Sequence, residues 1–526
     1  MHLRSTLLGA LLAVALALAA CGPSAPAGTL VYGLTLAPTG IDPHLNASSE
    51  LGIPLASVYD TLVFLDEESG AFVPGLAESW SVSPDGRVYT FKLRSDVRFH
   101  DGTRFDAQAV RANVEYTLNP DHHSQKAAFM LGPLNRVDVV DDYTVTFVLD
   151  EPYAPLLDSL SQVYLGMASP AALSEWGPTD YQFHQVGTGP YRFVEYVPND
   201  HLTLEANPDY AWAPEVYRKT RPSIATITFR FFTDPATRAL ALESGAADIV
   251  GEVPPQDATR LTGEGAFALH PVPIPGQPLQ FMFNTARPPT DNTTVRQALL
   301  LGTDRAAIVQ TIFGATSPVA RGPLSAVNLG LPSGAGLPDY DPDRAASLLD
   351  SAGWTIDAAT KLRARDGQPM ELVVIVPPWG SNPEVAQLLQ ADWARLGVRV
   401  RLQAVASFGQ LKEAQATGEY NAIGVNLFGT DPDLLRPFFT TGGSYNWANV
   451  QSADLDRLLL AGSQMTLDLE GRASLYAEAG QLIVDQALLL PIRDYVNLVV
   501  ANPRVLDLRF SAQGWFPHLI ELRLGS

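Results

Sequence analysis

The stretch "HPVPIPGQPLQFMFNT" packs four prolines and a glycine into residues 271–278, immediately before an apolar strand. Proline fixes φ and lacks a donor, so regular structure does not run easily through such a stretch, which suits a connection between two bodies. A similar change falls at 487–496, in "ALLLPIRDYV", after a long helical stretch from Ala453 to Asp485. If both are crossings, residues 277–486 form one lobe and the flanks, 29–272 plus 490–526, form the other, with hinges at about 271–278 and 487–496. A chain of 526 residues calls for more than one core, because single cores stop growing at about 250–300 residues.

Strands and helices alternate throughout. "TLVYGLTL" reads as a strand, and "IDPHLNASSELGIPLASVYDTLVFLD" as a loop leading into a helix and then a strand. "VYTFKLRSDVRFHDG" and "RVDVVDDYTVTFVLD" each read as a two-stranded hairpin with a polar turn. Helical spacing returns in "DAQAVRANVEYTL", "DPATRALALESG" and "EVAQLLQADWARLG", the last stopping at Gly397 before the strand "VRVRLQAV". This alternation is the mark of an α/β protein with helices covering its sheets.

The first residues carry their own message. A start whose only charge is Arg4 is followed by an apolar run, Leu7 to Ala20, ending in small residues, the build of a secretory signal peptide over residues 1–20. A bilayer span needs roughly twenty apolar residues, more than this run supplies. Cys21 is the only cysteine, so an internal disulfide is excluded. Leu18-Ala19-Ala20-Cys21 resembles the lipobox of bacterial lipoproteins, in which the thiol is lipidated and the peptide is cut before the cysteine. Residues 21–28 then read as a flexible tether.

Hydrophobic residues make up 46% of the chain and charged ones 17%, which fits a packed globular protein. A net charge of −21 repels nucleic acid and mildly favours cationic ligands without specifying one. No nucleophile elbow, phosphate loop or His-Glu-x-x-His helix is present, and no cofactor is implied. His122-His123 in "NPDHHSQK" reads as a solvated loop and "LPSGAGLP" as another. Asp101, Asp106, Asp341 and Asp343 flank turns and helix starts, where capping explains them. Asp431-Pro432-Asp433 follows the strand "AIGVNLFG" and precedes Phe438, Phe439, Tyr445 and Trp447, so turn chemistry and a site both fit it.

Six blocks in order identify a family resemblance: residues 74–110 ("PGLAESWSVSPDGRVYTFKLRSDVRFHDGTRFDAQAV"), "VGTGPYRF" (186–193), "NPDY" (207–210), "ALESGAADI" (241–249), "FNTARPPTDNTTVRQAL" (283–299) and "AASLLDSAGW" (345–354). They closely resemble the peptide/nickel family (family 5) of extracellular solute-binding proteins, which serve ABC importers. The resemblance implies a two-lobed α/β receptor of the periplasmic-binding-protein type II fold, with an extra subdomain inserted in the first lobe at about residues 45–190. It implies a monomer that closes on its ligand by hinge bending and delivers it to a membrane permease with cytoplasmic ATPases.

Peptide-binding members pair an extended ligand with strand edges. Matched residue by residue, the first lobe should contribute Asn46, Ala47, Ser48 and Ser49, and the second Gly424, Val425, Asn426, Leu427 and Phe428. Tyr495 in "PIRDYVN" matches a pocket-lining aromatic position, Trp447 is a further aromatic candidate, and Asp431 and Arg493 are the charges placed near the cleft, facing ligand or one another. Several peptide receptors of the family hold the ligand amine with an aspartate three residues before an acidic-Pro pair; here that position is Phe428. The arginine that can hold the ligand carboxylate is matched by Pro383 and Glu384. Both anchors of a dipeptide receptor are thus missing, which leaves a longer or blocked peptide, a sugar or a metal chelate. The expected product is a lipid-anchored receptor, not an enzyme. A sensory or chaperone-like module on the same fold is the alternative, to be told apart by its partner.

Overall fold

The computed structural model describes residues 28–263, 265–328 and 336–525. The signal peptide, Cys21, nearly all of the tether and most of "LPSGAGLP" lie outside the described residues. Two sheets form the frame. A seven-stranded sheet has the order Ala268–Pro273, Val496–Ala501, Ile249–Val250, Thr29–Leu34, Thr226–Phe231, His201–Ala206, Tyr191–Val197. Its central strand Thr29–Leu34 is parallel to both neighbours, and the outer pairs are antiparallel. A five-stranded sheet has the order Arg399–Ala404, Glu371–Val376, Ala422–Gly424, Leu279–Phe283, Leu489–Arg493. Leu279–Phe283 and Leu489–Arg493 are buried at every position, as strands covered on both faces must be.

The chain passes between these sheets at 274–278 and again at Asp494–Tyr495. Both passages are narrower than the sequence suggests. Pro271 and Pro273 belong to the edge strand Ala268–Pro273, where a residue without an N–H can face away from the sheet. The apolar run Leu489–Arg493, assigned from sequence to the second hinge and the start of the returning flank, is an edge strand of the five-stranded sheet. The two passages touch each other: the Ile274 N–H donates to the Tyr495 carbonyl at 2.9 Å.

A four-stranded antiparallel sheet, ordered Ala77–Val82, Val88–Leu93, Thr144–Leu149, Leu134–Asp141, lies between the first two strands of the larger frame in sequence. "RVDVVDDYTVTFVLD" forms its hairpin as expected. "VYTFKLRSDVRFHDG" does not. Val88–Leu93 pairs backwards with Ala77–Val82 across the Ser83–Gly86 turn, where Gly86 sits at φ +70° and donates to the Ser83 carbonyl at 2.8 Å. Its other edge takes Thr144–Leu149, leaving Arg98 only an isolated bridge to Arg104.

Capping is as the sequence suggests for Asp106 and Asp341, and Asp234 adds a third cap. Asp106 caps Ala107–Leu118, Asp234 caps Pro235–Glu243 and Asp341 caps Pro342–Ser351. Asn382–Arg395 ends before Gly397 at φ +83°. The stretch Ala453–Asp485 is two helices, Ala453–Gln464 and Leu469–Asp485, because Asp468 accepts from the Gly471 N–H and starts a new one.

Candidate ligand cleft

The second passage carries a cluster of aromatic side chains between the lobes. Tyr495 is buried, and the Phe428 ring meets it edge-on at 4.7 Å and 81°. Phe428 also meets Trp515 at 5.4 Å, so one aromatic row joins the second lobe to the C-terminal segment. Phe428 is held in place by backbone: Gln277 N–H donates to the Leu427 carbonyl at 2.8 Å, Leu427 N–H donates to Gln277 Oε1 at 3.0 Å, and Gly276 bridges Phe428. Gly276 has φ +126°, and a Cβ there would lie 2.6 Å from the Phe428 Cα. Only glycine serves at that crossing.

Arg493 ends the edge strand beside Tyr495. Its guanidinium lies between two ring faces, 4.0 Å from the Phe313 centroid and 4.2 Å from that of Tyr495. One N–H donates to Ser317 Oγ at 2.8 Å, and Nε has no partner. Arg493 and Asp431 do not pair with each other. Asp431 accepts from the Arg472 guanidinium at 2.6 Å and from the Asp433 N–H at 2.7 Å, which commits its charge. Trp447, a cleft candidate from sequence, is packed in the second lobe's core against Phe408 and Tyr445.

Gly424 and Val425 are buried, and the Val425 carbonyl accepts from Gln280 Nε2 at 3.1 Å, while Asn426, Leu427 and Phe428 are half-buried beyond the strand. On the first lobe, Asn46 turns its amide back onto the Asp42 carbonyl at 3.2 Å. Ala47 is exposed, and the Ser48 carbonyl accepts from the Tyr164 hydroxyl at 2.9 Å while Ser48 Oγ is buried without a partner. Ser49 begins a short 3-10 turn. Pro383 and Glu384 open the helix Asn382–Arg395, with Glu384 exposed.

Several residues of this region escaped the sequence reading. Glu50 is buried and accepts from the Thr35 N–H at 2.9 Å and the Leu36 N–H at 2.6 Å. Burial, with Glu252 adding to it, pushes its carboxyl up to about 7. Glu252 follows the strand Ile249–Val250, takes φ +47°, and donates its N–H to Asn497 Oδ1 at 2.7 Å. A carboxylate just past a strand end of an open α/β sheet was the available signal. Thr430 of the second lobe hydrogen-bonds Asp158 of the inserted segment, whose carboxyl burial pushes up. Beside it, Ala154 N–H donates to the Ser463 carbonyl at 2.7 Å.

Among the described residues, no group of three or more His, Cys, Asp or Glu could hold a metal ion, and no helix is long and apolar enough to cross a membrane. The arrangement has no nucleophile paired with a base. What it offers is an aromatic wall, strand-edge backbone and a buried cation.

The middle region of the bacterial extracellular solute-binding proteins, family 5, matches residues 71–449. The glutathione-binding protein GsiB of Salmonella paratyphi A is 30% identical over 86% of this chain and 86% of its own. The di/tripeptide-binding protein 2 of Pseudomonas aeruginosa is 28% identical over 94% of each. The structure of NikA from Brucella suis in complex with Fe(III)-EDTA superposes with a TM-score of 0.83 at 26% identity, covering 95% of this chain and all of that one.

Proposed function

The chain belongs to the family 5 bacterial extracellular solute-binding proteins of ABC importers, with their two-lobed type II periplasmic-binding-protein fold, and from that premise we propose that it captures a peptide or peptide-like solute between its lobes. The protein is exported, anchored outside the cell membrane through a lipid on Cys21, and passes its solute to a permease without chemical conversion. The observation carrying this reading is the aromatic row Phe428–Tyr495–Trp515, which spans the lobes at the point where the chain crosses between them. A ligand seated there touches both lobes only when they are closed, so binding shifts the population toward closure. The half-buried segment Asn426–Phe428 supplies the strand edge along which an extended peptide can lie, with Asn46–Ser49 on the facing wall.

The relatives' names, which include glutathione and di/tripeptides, support a peptide, and Phe428 in place of an acidic anchor favours one longer than two residues or blocked at its amine. The test is mass spectrometry of solute released by denaturing the purified protein, followed by thermal shifts with each candidate. A true ligand at 100 times its Kd raises stability by about 2.7 kcal/mol. Release of peptides that stabilise the protein is the expected outcome; release of a sugar or metal chelate, with no peptide stabilising, overturns the peptide assignment and leaves the receptor class.

A further inference from the structure

Arg493 is 7% exposed and has no carboxylate within ion-pair distance among the described residues, in a chain where acidic side chains outnumber basic ones 56 to 35. Arg238 aside, which also lacks an ion pair among the described residues and leaves its Nε without a partner, the other buried arginines are engaged. Arg363 donates to Asp350 at 2.6 Å and to backbone carbonyls. Arg296 donates to the carbonyls of Gln486, Ala487 and Thr290. A buried charge without a direct ion-pair partner is costly, and this one is retained with Ser317 as its hydrogen-bonded acceptor. The carboxylates of Glu252 and Asp494 favour its charge from a distance, but neither reaches it as a hydrogen-bond partner, and Asp494 Oδ2 accepts from the Ala326 N–H at 3.1 Å.

Position adds direction. The two flanking rings hold the guanidinium flat, which leaves the N–H edge, and not the face, for a partner. That edge matches a planar carboxylate with two parallel hydrogen bonds. A second donor in the same aromatic row, Trp515 Nε1, is also buried without a partner. Two orphan donors on one wall call for an acceptor that arrives with the ligand.

We infer that Arg493 is the subsite for a carboxylate of the solute, held edge-on between Phe313 and Tyr495. This rests on the solute-binding reading above and adds to it the chemical class of the ligand: an organic acid with apolar surface next to its carboxylate. It also relocates the acid anchor, since the helix start at Pro383 and Glu384 has no cation to offer.

The test uses the full chain purified in detergent and stripped of bound solute. It is titrated with a mixed tri- to hexapeptide pool bearing free C-termini, the same pool amidated, a panel of non-peptide carboxylic acids including metal–EDTA chelates, and neutral oligosaccharides. The free-acid pool should bind about 10- to 100-fold more tightly than the amides. Arg493→Gln should close the gap between acid and amide binding, and Arg493→Lys should recover part of it. Equal binding of acid and amide pools by the unaltered protein overturns the Arg493 subsite while the peptide reading stands. Arg493-dependent binding of the non-peptide acids alone keeps the subsite and removes the peptide. Binding of neutral sugars only, or of none of the acids, removes the inference. The acid–amide comparison needs no variant, so a misfolded Arg493→Gln does not blunt it.

Discussion

Gly276 shows how one residue sets the cleft. Its φ of +126° lies where other residues are strained by about 1–3 kcal/mol, and its missing side chain lets Phe428 approach. Gly276→Ala should therefore cost at least about 2 kcal/mol in denaturant unfolding, strain and clash together; an unchanged midpoint would show that the crossing can reshape. Cys21 makes a different prediction. Cys21→Ala should abolish incorporation of labelled palmitate and move the protein from the membrane to the soluble fraction, and continued membrane retention would remove the lipid anchor. At this scale the sequence was informative where chemistry is local. Asp106, Asp234 and Asp341 cap the helices they precede, because a cap needs only the next few backbone N–H groups. Phe428 and Tyr495 were matched to the cleft by family pattern, yet Phe313, Ser317 and Trp515, which give Arg493 and Phe428 their surroundings, come from distant parts of the chain and carry no spacing to read.

At the scale of elements, pairing is what sequence periodicity misses. Val88–Leu93 has the alternation of a strand, but nothing in that alternation chooses between a forward hairpin and the backward one closed at Ser83–Gly86. The run Leu489–Arg493 reads as a hinge because it follows the long helical stretch, although complete burial marks it as part of a sheet. Between elements, the contact of Thr430 with Asp158 joins the second lobe to the helix Leu156–Leu160. Thr430→Val keeps the shape and removes the hydroxyl. Ligand affinity should fall by about 1–2 kcal/mol as closure loses this bond, and small-angle scattering should show a larger unliganded radius. Unchanged affinity would mean that the contact is incidental to closure.

For the whole molecule, buried acids set the response to pH. Burial raises Glu50 to about 7 and Asp60 and Asp494 each to about 6. Each folded-state value is above the unfolded one, so the folded chain holds protons that the unfolded chain has released. This contribution is complete below the unfolded values and is lost as pH rises through about 6 to 7. Burial lowers His100 to about 4, which opposes the trend by favouring the folded state above about 6.5. These carboxyls, joined by Asp158, which burial also raises, outweigh the lowered imidazoles of His100 and His270. The Tm should climb by several degrees between pH 7.5 and pH 5.5, and a falling Tm over that interval would show that these acids are ionised in the folded protein.

The strand Val496–Ala501 lies between Ile249–Val250 and Ala268–Pro273 and is, among the described residues, the only sheet partner of the latter. The first lobe thus waits for a piece of chain made about 470 residues after its first strand begins. Until residue 501 leaves the ribosome, the seven-stranded sheet has a gap in it, and the chain ahead cannot lock into its final form. On the export proposed above, that order of assembly is an advantage: the fold that would jam the channel is among the last things translation completes.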